Sequence, residues 1–413
     1  MINRKQLSNG ITVVLETMPY LRSAAFGVWV KVGSSNENNK NNGISHIIEH
    51  MLFKGTRNRT AKQIADDMAR IGGDINAYTS KECTSFYAVT LDDHLPIAIE
   101  IIGDMLNNSL IDEGSLEKEK GVIIEEIDMY DDSPEDLVHE MLQMKIWKDH
   151  PLGYQISGTK KSVREVTRDE IINFMSEYYV AENIVISVAG NFKEDEIYKE
   201  LETHFGKMPS GTRSLDCSVP VYHQTIYKKE KDVEQLHLNI AFESVVADTK
   251  EKYPLTILNS VFGGSINSRL FQVIRENHGL TYSIYSYGSV YKKAGLFHIY
   301  AAMNPLQLKP VVDYTFEIID DIKQNGLTEE EISMAKEQIK TELILGNESA
   351  KNRMNSNGKS ILFKDKITPL EETILKLNQV TKDEISAFAN KYLIKENCSF
   401  SLVGNLEQVN MFK

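Results

Sequence analysis

Apolar and polar positions alternate over residues 11–16 (ITVVLE) and 24–32 (AAFGVWVKV), and this period of two predicts strands. After a polar, Asn-rich loop the pattern changes. Over 43–53 the apolar residues Ile44, Ile47, Ile48, Met51, Leu52 and Phe53 surround a helix on almost every side, which predicts a buried helix. A short helix is expected over 61–71, ending at Gly72-Gly73. Residues 84–91 (TSFYAVTL) alternate again as a strand, and helical segments follow at 94–108 and 115–131. A similar rhythm returns later: strand 236–243, helix 253–262, strands 281–288 and 295–302, helix 307–324. Strands and helices mix without strict βαβ alternation, which predicts an α+β fold rather than a doubly wound sheet.

The return of the rhythm has a counterpart in residue identity. Residues 167–192 (TRDEIINFMSEYYVAENIVISVAGNF) and 381–406 (TKDEISAFANKYLIKENCSFSLVGNL) align at an offset of 214 without a gap, with 11 identities in 26 positions. Each copy reads as a Thr-capped helix, an alternating strand and a Gly-Asn turn. Duplication accounts for this: two tandem homologous domains, 1–208 and 226–413. They are joined through 209–225, which is rich in Pro, Gly, Ser and Thr and poorly periodic.

Composition narrows the class. An apolar fraction of 41% and a charged fraction of 25% are those of a soluble globular protein. The net charge of −13 argues against a nucleic-acid partner and, through long-range attraction, leans toward cationic peptides. No segment is apolar for long enough to span a bilayer, and the opening residues lack the apolar core of a secretory signal. Cys83, Cys217 and Cys398 are far apart and odd in number, so a disulfide framework is not expected and a reducing cytoplasm fits.

The chemistry is concentrated in His46-Ile47-Ile48-Glu49-His50 and, 76 positions after His50, Glu126. On a helix His46 and His50 are one turn apart on one face, and Glu49 joins that face. Two imidazoles so spaced suit a tetrahedral zinc ion, and a carboxylate beside them suits a general base. The order H-x-x-E-H is the inverted form of the commoner zinc motif. On the helix over 115–131, Glu119, Val122, Ile123, Glu126 and Tyr130 are expected on one face, with Lys118 and Glu125 nearly opposite. A buried carboxylate there needs compensation, which a metal with its imidazoles would supply. The plainer reading of any one of these residues is a solvated acidic helix or a hydrogen-bonded core histidine.

Three segments together, GISHIIEHMLFKGT (43–56), GGDINAYTSKECTSFY (72–87) and EKGVIIEEIDMYDDSP (119–134), resemble the pitrilysin/insulinase-type zinc peptidases. The likeness is greatest to the bacterial processing-protease branch, which is similar to the mitochondrial processing peptidase beta subunit. The resemblance implies two homologous α+β domains, each a mainly antiparallel sheet with flanking helices, facing each other across a chamber. It implies His46, His50 and Glu126 as ligands of one zinc ion per chain, Glu49 as general base and Glu119 as an acidic residue supporting the site. It also implies Asn76 and Ala77 on an edge strand that pairs with the substrate backbone. Arg275 and Tyr282, in SRLFQVIRENHGLTYSIYSY (268–287), match a pair that holds the substrate carbonyl. Taken by themselves those two residues read equally as a surface ion pair with Glu276 and a strand residue.

In the second copy Ser260 and Gly264 stand 214 positions after His46 and His50, so no metal motif is expected there. Phe262-Gly263-Gly264-Ser265 reads as a loop near the substrate and not as a phosphate cradle, since it lacks the P-loop lysine. The expectation is a cytoplasmic zinc metalloendopeptidase that cleaves peptides or processes short, unfolded polypeptides with water activated at the metal. It would be a homodimer, because zinc motif and Arg/Tyr pair share one chain, with no nucleic-acid or membrane partner. The alternatives are a catalytically silent scaffold subunit of the same fold, or a module that binds peptides without cutting them.

Overall fold

A computed structural model describes residues 2–211 and 218–407. The strands of the first half are β1 (Ile2–Gln6), β2 (Thr12–Thr17), β3 (Ser23–Val30), β4 (Asp74–Thr79), β5 (Thr84–Leu91) and β6 (Ile184–Gly190). Between them run α1 (Ile44–Leu52), α2 (Ala61–Arg70), α3 (Leu95–Asn108), α4 (Glu113–Asp132), α5 (Pro134–Ile146), α6 (Lys160–Glu165) and α7 (Arg168–Tyr178), and α8 (Glu194–Phe205) follows β6. The second half contributes β7 (Ile226–Glu230), β8 (Leu236–Glu243), β9 (Thr281–Val290), β10 (Gly295–Met303) and β11 (Ser399–Gly404). Its helices are α9 (Lys252–Phe262), α10 (Leu308–Asn325), α11 (Glu329–Gly346), α12 (Ala350–Lys364), α13 (Leu370–Gln379) and α14 (Lys382–Tyr392).

The strands make two sheets, ordered β1-β2-β6-β3-β5-β4 and β7-β11-β8-β10-β9. Leaving out β1, the two orders correspond strand for strand. Each sheet has a single parallel pair, β2 with β6 and β7 with β11, and is otherwise antiparallel. The fold is therefore α+β with a duplicated, mainly antiparallel sheet. The aligned repeats open alike: Thr167 and Thr381 each cap a helix with a reciprocal box, closed by Glu170 and Glu384.

The packing units are not the two contiguous halves. Among the described residues, one unit comprises 2–127, 154–211 and 345–368; the other comprises 128–153, 218–344 and 369–407. Each half thus lends a helix to the other unit. In the first unit one sheet face carries the main core, with α1, α3, α7 and α8, and the opposite face is covered by α12 through Met354, Ile361 and Leu362 against Trp29 and Val14. In the second unit α5 plays the same part, laying Leu137, Val138, Leu142 and Ile146 on the sheet. A helix of one half can cover the other half's sheet because an apolar sheet face accepts any matching helix face, whatever its distance along the chain.

Periodicity did not disclose β1, β4, β7, α5, α6, α8, α11, α12 or α13. β1 is a half-exposed edge strand of polar residues, and the two lent helices carry mixed sequences whose apolar faces suit a partner remote in sequence. Of the expected linker 209–225, residues 212–217 lie outside the described residues, as does Cys217. Cys83 and Cys398 are buried free thiols. No described helix is long and apolar enough to cross a membrane.

Candidate functional site

α1 is buried on every side but one. Ile44, Ser45, His46, Ile47, Ile48, Met51 and Leu52 are inside, whereas Glu49 and His50 are only half-buried. Of the three residues of α1 with candidate chemistry, His46 alone is buried. The arc left open by the core is the one that carries the chemistry.

Glu126, on α4, completes a cluster with His46 and His50 whose ligand atoms all lie within 4.8 Å of one another. Its Oε2 is 3.7 Å from His46 Nε2 and 3.8 Å from His50 Nε2. Donors bound to a tetrahedral zinc at about 2.0–2.2 Å stand roughly 3.3–3.6 Å apart, so the three residues fit the ion with a slight contraction. The imidazoles meet edge to face at 4.6 Å. Burial, and then the neighbouring His50, push the His46 pKa down to about 4, which keeps the ring neutral and able to ligate. With Nε2 free for a metal, the ring proton sits on Nδ1, which is buried without a hydrogen-bond partner among the described residues.

His50 is held differently. Its Nδ1 faces Glu119 Oε2 at 3.2 Å, an arrangement that places the ring proton on Nδ1 and frees Nε2. The other Glu119 oxygen pairs with Lys54 Nζ at 2.7 Å. Glu119 thus fixes the orientation of the His50 ring, and Lys54, one turn after His50, offsets its buried charge. On α4 the buried line is Leu116, Glu119, Lys120, Ile123 and Ile127. Val122 is 51% exposed and Tyr130 is 37% exposed, so the expected face was drawn too wide. Glu126 sits at its margin, between core and solvent.

Glu49 turns toward β4, where Thr79 Oγ1 donates to its Oε2 at 2.6 Å. Burial raises the pKa of Glu49 and the Thr79 hydrogen bond opposes the rise. The carboxylate is therefore poised between α1 and the edge strand that holds Asn76 and Ala77. The start of α1 is anchored by Glu37, whose carboxylate accepts from Gly43 N at 2.7 Å, Asn42 Nδ2 at 2.9 Å and Ser45 N at 2.9 Å. Gly43, at φ 96°, offers no side chain to cap the helix, and a charge from the preceding loop does so instead. Sequence reasoning missed Glu37, Lys54 and Thr79. Lys54 alone left a signal, its spacing of four from His50.

Arg275 and Tyr282 belong to the second unit. Arg275 lies on a π-helical turn, 271–277, and its guanidinium carbon is 4.5 Å from the Phe271 ring centre and 5.1 Å from that of Tyr282. Glu276 approaches its Nε at 3.8 Å, and the Tyr282 side chain is largely exposed. The pair is formed, stacked and open on one side.

Similarity to known proteins extends over the same segments. A family model described as Insulinase (Peptidase family M16) matches residues 12–160, and one described as Peptidase M16 inactive domain matches 165–339. The uncharacterized zinc protease YmxG of Bacillus subtilis is 40% identical over 98% of this chain and 98% of its own. An uncharacterized zinc protease of Rickettsia felis is 36% identical over 94% of each chain. In fold, a protease from Helicobacter pylori superposes with a TM-score of 0.91 at 20% identity, covering 98% of this chain and 99% of its own. A chain of complex III2 from Candida albicans does so at 0.86 and 18% identity, covering 99% and 97%. Matched along nearly its whole length by such relatives, and bringing together three residues that could hold a metal ion, the chain belongs to the pitrilysin/insulinase-type family of zinc peptidases.

Proposed function

We propose that the chain is a zinc-dependent endopeptidase that cuts peptides or short unfolded polypeptides bound as an extra strand beside β4. The observation that carries this reading is the convergence of His46, His50 and Glu126, with Glu49 turned from that cluster toward the edge strand. One zinc ion held by those three residues would polarise the scissile carbonyl and acidify water. Glu49, its pKa raised by burial, takes a proton from the attacking water and returns one to the leaving amine nitrogen. Thr79 aims that carboxylate. Glu119 keeps His50 in the ligating tautomer. The backbone of β4 at Ala77 holds the peptide extended. Arg275 and Tyr282 take the role that resemblance gives them, holding the carbonyl oxygen as charge develops on it.

The test is Glu49→Gln. Zinc content and fold are expected to be unchanged, and cleavage of a mixed peptide pool, read by mass spectrometry, to fall by about 10² to 10⁴. Near-normal turnover in the zinc-loaded variant would refute the role. Metal analysis should give one zinc per chain; two, or none after supplementation, contradicts the proposal. The rival reading is a peptide-binding or scaffold subunit that holds zinc without turnover. The likeness to a chain of complex III2 favours it as far as fold goes, and a zinc-loaded protein inert toward every peptide in the pool would support it.

A further inference from the structure

β4 is an edge of its sheet, and its pairing with β5 decides what a bound peptide would meet. The hairpin is closed by Ser80 N–H on Cys83 C=O. Bonded and non-bonded pairs alternate along an antiparallel ladder. Counting back from Ser80, the residues Tyr78, Asn76 and Asp74 turn their backbone groups toward β5, and Thr79, Ala77 and Ile75 turn theirs outward. In agreement, the Ala77 N–H donates to the side-chain Oδ1 of Asn76 at 2.8 Å. An added peptide strand would take over that N–H, and its side chains would fall alternately on the two faces of the sheet.

The two faces differ in chemistry. On one, Ile75 and Ala77 pack with the main core beside α1, and Thr79 holds Glu49. On the other, Tyr78 and Tyr87 lie beneath α12, Tyr87 standing opposite Asn76 in the ladder. Lys359 Nζ is 5.0 Å from the Tyr78 ring centre and Lys351 Nζ is 4.8 Å from that of Tyr87. The two lysines are eight residues apart on α12, hence on one side of it. Among the described residues neither ammonium has a carboxylate within ion-pair distance. Cross-strand neighbours have Cβ atoms about 4.5–5.5 Å apart. The side chain of a peptide residue opposite Tyr78 is thus within reach of Lys359, whereas that of the next residue but one, opposite Asn76, lies about 9–10 Å, two strand spacings, from Tyr87, a gap the flexible Lys351 stem and an acidic side chain span together.

We propose that this lysine–tyrosine face selects acidic side chains at two alternate positions of a bound peptide, those opposite Tyr78 and Asn76. This deepens the peptidase reading and rests on it for where the peptide lies. It is distinct from what the net charge of −13 implies, since a general acidic field favours basic residues at every position alike. The local strip favours acidic residues with a period of two.

The test walks one Asp along a neutral, extended, fluorescent peptide and measures binding to the zinc-loaded Glu49→Gln protein at low salt. Dissociation constants are expected to alternate, with binding about two- to fivefold tighter at the favoured positions, the range of an exposed ion pair. Adding Lys359→Glu should reverse one of those positions, so that a Lys peptide binds better than the Asp peptide there. Lys364→Glu, the same charge change elsewhere on α12, should leave the alternation in place. An Asp effect that is the same at every position, an alternation untouched by Lys359→Glu, or no binding at all overturns the proposal. Cleavage of the same peptides by the unsubstituted protein is read separately. Alternating binding without cleavage would remove the peptidase and leave the acidic selection standing.

Discussion

At the scale of single residues, the proposed metal site leans on groups outside its three candidate ligands. Glu119 sets the His50 tautomer through a 3.2 Å contact and is itself paired with Lys54. Glu119→Gln should weaken zinc binding by about 10- to 100-fold, the usual cost of losing a partner behind a ligand. Glu126→Gln should weaken it more, because a charged ligand is lost, and Glu125→Gln should do little; competition with a zinc chelator orders the three. Glu37 acts one step further back. Its carboxylate is wholly buried and satisfies two backbone N–H groups at the start of α1, so Glu37→Gln leaves a donor facing donors. That substitution is expected to lower stability by about 1–3 kcal/mol in denaturant unfolding, and to loosen zinc binding because His46 lies one residue beyond the anchored Ser45.

At the scale of elements, the two lent helices are fastened by different chemistry. α12 is held by shape and charge. A Cβ on Gly358 would come within 2.4 Å of the Trp29 ring, and Arg353 and Asn357 both bind the buried Glu16, with Arg353 Nε at 2.8 Å. Gly358→Val should cost about 1–3 kcal/mol by overpacking, read as a lowered Tm. α5 is held instead by a polar cluster. His139 meets Asn239 Nδ2 and the Tyr287 hydroxyl at 2.8 Å each and the Tyr285 hydroxyl at 3.3 Å, with Glu135 and Asp136 on its own helix and His237, His298 and Tyr300 on the sheet beside it. Burial pushes the His139 pKa down to about 4 and that of His298 down to about 3. Both lie below the ordinary histidine value, so between about pH 6.5 and 4 the unfolded chain binds more protons than the folded one, and stability falls as pH falls. Unfolding of the second unit should become easier across that window. His139→Phe should flatten the slope by up to about 1.4 kcal/mol per pH unit.

At the scale of the whole molecule, the exchange of helices changes what a fragment can do. Residues 1–208 contain the complete metal cluster, and a contiguous-domain view expects them to bind zinc alone. They lack Leu345–Thr368, however, and with it α12, so Trp29, Val14, Ala25 and Tyr87 would face water. The fragment is expected to aggregate or to show loosened packing, with dye binding and lost near-ultraviolet dichroism. Restoring residues 345–368 should recover cooperative unfolding before any activity returns. A soluble, cooperatively folding 1–208 would contradict the dependence on α12. Tyr282→Phe, by contrast, removes one exposed hydroxyl. Turnover should fall by roughly 10²-fold at unchanged zinc content and Tm if Tyr282 holds the carbonyl oxygen.

Local pattern was enough for much of this. The periods of two and 3.6 located β2, β3, α1, α2, β5, α3 and α4, and in the second half β8, α9, β9, β10 and α10, to within a few residues, because in these elements each side chain answers to one adjacent core. The repeat at offset 214 announced the duplication that the two matching sheet orders display. The H-x-x-E-H spacing placed both imidazoles on one helix face, a consequence of helix geometry alone. What joined Glu126 to them, turned Glu49 to Thr79, set Glu119 behind His50 and drew Glu37 onto the start of α1 was packing between segments up to 80 residues apart. The same holds for α5 and α12. Their sequences specify a helix with a mixed face, and only the tertiary structure determines whose sheet that face covers, because burial rewards any complementary surface and carries no record of chain distance.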